Sequence, residues 1–383
     1  MSANIRLLQI IPNMDIGGAE TGCLHVADHI SKQGGFSAIL TSGGKLLDLI
    51  DHDKIKIFKW PINKNIFFII LNIFYIFLKI KIHKINIVHA RSRAPAWSAF
   101  LASKLANVKF VTTFHGTYNF ESKLKKFYNS VMVRSDLIIA GSNFIFSHIK
   151  ENYSKYFDVN TRLRVIFRGI NVDYFDPTTK LDNDEKKLLN EWKIKKDKKI
   201  ILLPGRLTGW KGQEIFIEAV NLANIELGYE AFYAVILGSD QGRDLYKKKL
   251  FRLTEQHRLI NQVKFIDHCK DMALAYKVSD IVVSASIEPE AFGRVSVEAQ
   301  SMEKPIIASN IGGSNETVID EKTGFLFESN NAKSLSKKIL KVLSMDEVSL
   351  QSIGKEGRKN IIQKFNVEKM CFSTYSEYKR IIN

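Results

Sequence analysis

Two doubly wound α/β domains in tandem are predicted by three observations. Short apolar runs alternate with longer helical stretches along the whole chain. These runs fall into two series, separated by the polar stretch Gly169–Lys199 with its Asn, Asp, Thr and Pro177 and a Lys/Glu-rich helix. Several runs end in glycine-bearing loops that open a helix, which is where open parallel sheets bind their ligands. Alternation of this kind requires a parallel sheet covered by helices on both faces.

The first series of strand-like runs is Arg6–Ile11, Ala38–Thr41, Ile55–Phe58, Ile87–Ala90, Phe110–Phe114, Leu137–Ala140 and Leu163–Phe167. The second is Ile200–Leu203, Ala234–Leu237, Val263–Ile266, Ile281–Val283 and Ile306–Ala308. Each run is too short for a buried helix and suits a strand covered on both faces. Helices are expected between them at Glu20–Lys32, Ala96–Ala106, Lys123–Arg134, Gln213–Leu227 and Asp244–Gln256.

Of the 383 residues, 45% are apolar and 25% charged, enough to bury more than one core. Cys23, Cys269 and Cys371 show neither metal-ligand nor disulfide spacing, which fits a reducing, cytoplasmic setting. No secretory signal is read at Ile5–Ile11, because Pro12 and Gly17-Gly18 follow at once. The net charge of +16 is uneven: residues 1–190 carry 26 Lys and Arg against 15 Asp and Glu. A basic half suits either an anionic partner, such as acidic lipid or a phosphorylated acceptor, or a solvated lysine-rich surface. Aromatic signatures of RNA binding are missing, so no nucleic-acid partner is expected.

Ile66–Leu78 is the most apolar stretch, broken only by Asn72 and flanked by Lys59, Lys64, Lys79, Lys81 and Lys84. It is too short to span a bilayer comfortably. Two readings stay open: a core helix before the strand at Ile87, or a helix seated on an anionic membrane surface with its lysines among the headgroups.

The segment with the most chemical content runs from Ser286 through Glu290, Phe292 and Gly293 to Glu298. It follows the strand Ile281–Val283 and leads into a helix. Glu290 is placed at the strand's carboxyl end, and Glu298 about one and a half turns into the helix, facing the same crevice. The helix start between them offers backbone N–H groups and positive potential to a phosphate. Two carboxylates for hydroxyl groups with an anion between them describe a pocket for a nucleotide sugar.

Other loops repeat the strand–glycine–helix pattern. Gly205-Arg206 and Lys211-Gly212 follow Ile200–Leu203; a guanidinium fork and a compact ammonium there could neutralise a diphosphate without a metal. The spacing is not that of a Walker loop. Gly17-Gly18 follow the first strand and let backbone approach a ligand, or simply form a tight turn. His115 ends the strand Phe110–Phe114, as a hydroxyl-binding or a structural histidine. Gly312-Gly313 follow Ile306–Ala308 at another helix start. The triplets Asp51-His52-Asp53 and Asp182-Asn183-Asp184 read as solvated loops rather than metal ligands.

Taken in order, the Gly17-Gly18 loop, Phe114-His115-Gly116, Gly205-Arg206 with Lys211-Gly212, Glu290-x-Phe-Gly with Glu298, Ile311-Gly312-Gly313 and Gly324-Phe325-Leu326 resemble the retaining family-4 glycosyltransferases of the GT-B fold. The resemblance covers nearly the whole chain. It implies two Rossmann-like domains facing a central cleft: an acceptor-side domain at 1–175, a linker at 176–198, a nucleotide-sugar domain at 199–365, and a C-terminal helix at 366–383 that returns to the first domain. It also implies roles. Arg206 and Lys211 would hold the donor diphosphate, Glu290 the sugar hydroxyls, and backbone after Phe292 and Gly293 the distal phosphate. Glu298 would take the ribose, with Gly238 and His268 framing the base. Gly17 and Gly18 would approach the phosphates and acceptor, and His115 the transferring sugar.

No metal or other cofactor is implied. The partners expected are a nucleotide-sugar donor and an envelope glycan or glycolipid acceptor, as in lipopolysaccharide synthesis, with the protein cytoplasmic or peripheral on the inner membrane face. A nucleotide-sugar 2-epimerase of the same fold, and a non-catalytic binder of anionic polymer, are the alternatives. Two departures from the family pattern stand out: Ala291 separates Glu290 from Phe292, with Pro289 displaced, and Lys304 occupies a position that is often glycine.

Overall fold

The structure, a computed structural model, describes residues 4–15, 17–62, 66–118, 122–179 and 182–383. Ile16 and Lys64 lie outside the described residues, as do the side chains of Ile66, Phe67, Asp182 and Asn183. The chain forms two compact units, Met1–Gly169 with Val367–Asn383, and Ile170–Asn366.

Among the described residues, the first unit is built on β1 (Arg6–Ile10), α1 (Gly18–Lys32), β2 (Phe36–Thr41), β3 (Lys56–Lys59), α2 (Ile66–Ile82), β4 (Ile87–Ala90) and α3 (Arg93–Ala106). It continues with β5 (Lys109–Phe114), α4 (Lys123–Asn129), β6 (Leu137–Ala140), α5 (Asn143–Tyr153), α6 (Val159–Arg162) and β7 (Leu163–Val165). The strands are parallel in the order β3-β2-β1-β4-β5-β6-β7. Strand order reverses between β1 and β4, so a crevice opens at their carboxyl ends. The C-terminal helix, Val367–Ile382, packs on α1 and buries Cys371 and Tyr378 among Ile5, Leu7, Val26 and Ile30.

The second unit continues with α7 (Asp182–Glu191), β8 (Lys199–Pro204), α8 (Gln213–Leu227), β9 (Phe232–Leu237), α9 (Asp244–Gln256), β10 (Val263–Ile266), α10 (Met272–Val278) and β11 (Ile281–Ser284). It ends with α11 (Arg294–Ser301), β12 (Ile306–Ser309), α12 (Ser314–Thr317), β13 (Phe325–Phe327), α13 (Ala332–Ser344) and α14 (Glu347–Lys364). Its parallel sheet has the order β10-β9-β8-β11-β12-β13, reversing between β8 and β11. α7 packs on α10, and Leu188, Leu189 and Trp192 are buried, so the polar stretch ahead of β8 is part of this unit.

Side-chain caps mark helix starts where the sequence offers them. Ser142 accepts from Ile145 N, Asp271 from Leu274 N and Asn331 from Ser334 N. The helix expected over Lys123–Arg134 stops at Asn129 and tightens into a 3-10 turn, Ser130–Val133. All four residues of that turn are buried, and the Ser130 hydroxyl donates to Phe127 O at 2.7 Å, a local bond that competes with helix continuation.

The stretch Ile66–Leu78 lies in α2, which buries one face and exposes the other. Ile76, Ile80 and Asn72 are buried, and Asn72 interrupts the run because its side-chain carbonyl accepts the Trp60 indole N–H at 2.7 Å. Ile70, Leu71, Phe74, Leu78 and Ile82 are exposed. Among the described residues, no helix is long and apolar enough to cross a membrane.

Candidate functional site

The switch point of the second unit brings two sequence-predicted residues together. Lys211 lies in the loop after β8 and Glu290 in the loop after β11, the neighbouring strand. Lys211 Nζ donates to Glu290 Oε1 at 2.7 Å, with side chains only 14% and 11% exposed. The Ser286 hydroxyl donates to the same oxygen at 2.5 Å. The Lys211 ammonium also stands 4.4 Å from the centre of the Trp210 ring. Ile287 N donates to Trp210 O at 2.8 Å, which stitches the two loops backbone to backbone.

Arg206 is exposed at the carboxyl end of β8, and its guanidinium makes no hydrogen bond or ion pair among the described residues. Gly205 N donates to Leu237 O, and Gly238 N to Ile266 O, both at 2.8 Å, so Gly205 and Gly238 begin the loops of adjoining strands. His268 is exposed two residues past β10.

Glu298 is buried on α11. Tyr276 Oη donates to its Oε2 at 2.8 Å, and Arg294 Nε to its Oε1 at 2.5 Å. Burial, and then the charge of Glu298, push the Tyr276 hydroxyl well above its ordinary range and keep it a donor. A carboxylate accepts about four hydrogen bonds, so Glu298 retains acceptor capacity for hydroxyl groups. Gly293 caps α11 in the left-handed region (φ 81°), with no side chain in the capping role. Phe292 is buried and packs edge-on against Phe365, 5.7 Å between ring centres, so only its backbone can face a ligand. Gly313 supports this segment by close approach. Its N–H donates to Glu290 O at 2.8 Å, and a Cβ there would sit 2.6 Å from the Phe292 backbone.

In the first unit, Gly17 precedes α1 in extended conformation and Gly18 opens it. His115 follows β5 with both ring nitrogens buried and, among the described residues, without a hydrogen-bond partner. It lines a pocket with Gly18, Arg91, Thr113, Gly141 and Arg168. Burial first, then the Arg168 and Arg91 charges, hold the imidazole neutral, well below its ordinary value of 6.5. His89, bonded to Tyr378 Oη at 2.5 Å and Thr113 Oγ1 at 2.8 Å, is held neutral chiefly by burial.

Both imidazoles make the fold acid-sensitive. As pH falls through about 6.5 the unfolded chain takes up protons that the folded chain refuses, so stability is lost below that value. Each group contributes up to about 1.4 kcal/mol per pH unit. Urea titrations across this range should show a shallower acid slope for His89→Gln than for the wild type, and equal slopes would refute the assignment.

Sequence reasoning missed Arg91, Arg168 and Tyr276, and it named Ser286 without giving it a role. Arg91 directly follows β4, as His115 follows β5, so its place after an apolar run was the signal available. Asp51-His52-Asp53 is exposed, with Asp51 paired to Lys54 at 2.6 Å. Among the described residues, no group of three or more His, Cys, Asp or Glu is placed to hold a metal.

Comparison with known proteins fits this geometry. Residues 184–360 match the family model "Glycosyl transferases group 1", and residues 16–174 match "Glycosyltransferase Family 4". A solved glycosyltransferase from Rickettsia africae is 35% identical, with 99% of each chain covered and a TM-score of 0.90. A UDP-Gal:alpha-D-GlcNAc-diphosphoundecaprenol alpha-1,3-galactosyltransferase of Escherichia coli is 26% identical over 88% of this chain and 87% of that one. The capsular polysaccharide biosynthesis glycosyltransferase CapM of Staphylococcus aureus is 30% identical over 52% of this chain, a match that spans 49% of CapM. HepE of Anabaena (21% identical, 98% and 100% of the two chains covered, TM-score 0.83) shares the fold. Two parallel-sheet Rossmann-like units with these neighbours define a GT-B glycosyltransferase. The chain belongs to the family-4 glycosyltransferases.

Proposed function

We propose that this glycosyltransferase moves a sugar from a nucleoside-diphosphate donor to an envelope glycan or glycolipid, with retention of configuration and without a metal ion. The observation that carries the reading is the Lys211–Glu290 pair at the switch point of the second unit, with Glu298 on the helix that follows. Lys211 and Arg206 supply positive charge for the diphosphate, and Glu290, beside Lys211, supplies an acceptor for the hydroxyls of the sugar attached to it. Glu298 takes the ribose hydroxyls while Tyr276 and Arg294 fix its orientation.

In the reaction, the bond from the sugar carbon to the diphosphate oxygen breaks and a bond to the acceptor oxygen forms on the same face. The acceptor's hydroxyl proton passes to the departing phosphate. Arg206 and Lys211 stabilise the charge that grows on that phosphate. Each carboxylate in the site is already engaged, Glu290 by Lys211 and Ser286 and Glu298 by Tyr276 and Arg294, which favours this single-face route over a covalent glycosyl-enzyme. The names of the relatives support the substrate class: the E. coli protein is named for UDP-Gal and a diphosphoundecaprenol-linked acceptor, and CapM for capsular polysaccharide.

A thermal-shift panel of UDP, GDP and ADP tests the donor assignment, since a ligand specific for the folded state raises apparent stability by about 2.7 kcal/mol at a hundred times its Kd. One diphosphate should raise the melting temperature, and Glu298→Ala should lose most of that rise. An equal rise in Glu298→Ala would take Glu298 out of the donor site. Product anomeric configuration and transfer in the presence of a chelator check retention and metal independence.

The proposal extends to a seat on the inner face of the cytoplasmic membrane. α2 exposes Ile70, Leu71 and Phe74, its described part carries no acidic residue, and its last turn holds Lys79 and Lys81. Beside it, α3 exposes Leu101 and Leu105. An apolar surface rimmed by lysine fits acidic lipid. Sedimentation with phosphatidylglycerol vesicles should be strong at low salt, weaken with salt, and fall in a Leu71→Ser, Phe74→Ser variant. No binding at low salt would dispose of the membrane seat.

A further inference from the structure

The pocket at the switch point of the first unit is lined by a buried guanidinium, that of Arg91, which pairs with no carboxylate among the described residues. Arg91 is 6% exposed. Its Nε and Nη2 both donate to the neutral Gln9 Oε1, at 2.8 and 2.5 Å, and Gln9 in turn donates to Cys23 O. Its Nη1 has no partner and no carboxylate pairs with it among the described residues. A buried cation without a counter-charge is costly. Arg168, in the loop after β7, brings a second guanidinium: a Cβ on Gly18 would sit 2.8 Å from its Nη2. Glu20, on the first turn of α1, is curled back over Gly17, whose Cβ would lie 2.3 Å from Oε2. α1 is fifteen residues long, and no side chain caps it.

Independently, His115 points to a missing partner. Both of its ring nitrogens are buried in this pocket and neither is bonded among the described residues, although a neutral imidazole carries one donor and one acceptor. Every residue lining the pocket belongs to the first unit.

We propose that this pocket binds a phosphoryl group carried by the acceptor, with Arg91 and Arg168 as counter-charges and His115 and the amides opening α1 as hydrogen-bond donors. The acceptor assignment rests on the donor reading above, which places the donor diphosphate in the second unit. Two guanidinium groups, an imidazole and a helix start converge from the ends of β4, β7, β5 and β1, directions that suit a tetrahedral dianion better than a planar carboxylate. The acceptor is then a phosphorylated or diphosphate-linked glycan, and a neutral glycan is a poor one.

Calorimetric titration of the full chain with n-butyl phosphate, with and without a saturating mixture of UDP, GDP and ADP, tests this. Butyl phosphate should bind equally in both arms. Arg168→Gln should weaken it about tenfold or more, the scale of a charged hydrogen bond, without changing nucleotide affinity. Arg206→Ala should do the reverse. Arg91→Lys, which keeps the charge, stands in if Arg91→Gln fails to fold, and should weaken butyl phosphate alone. Competition between butyl phosphate and the nucleotides would assign the anion to the donor's own phosphate and overturn the proposal. Absence of butyl phosphate binding, or unchanged binding in Arg168→Gln, would also overturn it. Loss of nucleotide binding in Arg206→Ala with butyl phosphate still bound supports two separate anion sites.

Discussion

Replacing Lys211 with alanine should lower turnover by about 10²–10³, the scale for losing one preorganised charge partner of the transition state. Negative charge grows on the departing phosphate as the sugar bond breaks. The Lys211 ammonium is largely shielded from water, so its attraction is weakened less than that of a surface lysine. Its removal also leaves the Glu290 carboxylate, among the described residues, with the Ser286 hydroxyl alone and turns it into a like charge beside the diphosphate. Arg206→Ala should fall on the same scale. Arg206 is exposed, so its loss should leave thermal stability unchanged and separate a catalytic effect from a folding one. Single-turnover rates at saturating donor are the measurement. Near-wild-type transfer by Lys211→Ala would remove it from the mechanism.

Gly212→Ala should destabilise the second unit by about 2–5 kcal/mol and carry donor binding away with it. Gly212 sits at φ +72°, where a side chain costs about 1–2 kcal/mol. Its Cβ would stand 1.9 Å from Ala285 O, a backbone atom that cannot swing aside, and overpacking of that kind costs about 1–3 kcal/mol. The clash would push the loop after β8 away from the loop after β11, breaking the Ile287–Trp210 backbone bond and displacing Lys211 from Glu290. Calorimetric unfolding with a nucleotide titration reads both effects. A variant with wild-type melting temperature and donor affinity would show that the two loops do not depend on their close approach.

The residues proposed to hold the donor were legible because each stands in a local pattern. Arg206 and Lys211 follow one apolar run, and Glu290 and Glu298 span the turn between another run and its helix. Arg91 and Arg168 were not legible. They lie in ordinary-looking strand–loop junctions, and only the folded structure shows that, among the described residues, Arg91 has no counter-charge and His115 beside them has no hydrogen-bond partner. α2 shows the same limit. Its composition suits both a core helix and a surface helix, and the choice was made face by face when α3 covered one side. The short strand β13 escaped notice because three residues, Phe325–Phe327, carry too little periodicity to mark a strand.

By itself the sequence determined the class of fold, the glycine-bearing loops at the strands' carboxyl ends, and the residue types proposed to suit a nucleotide sugar. Those properties are written in neighbouring residues, as apolar period, glycine turns and helix starts. Only the tertiary structure decided which charges meet. Lys211 and Glu290, 79 residues apart, pair because β8 and β11 lie side by side. Arg91 and Arg168 share a pocket with His115 because four strands of the first sheet end at one edge. Strand order sets these distances, and strand order follows from how two whole cores are buried, which no short stretch of chain encodes.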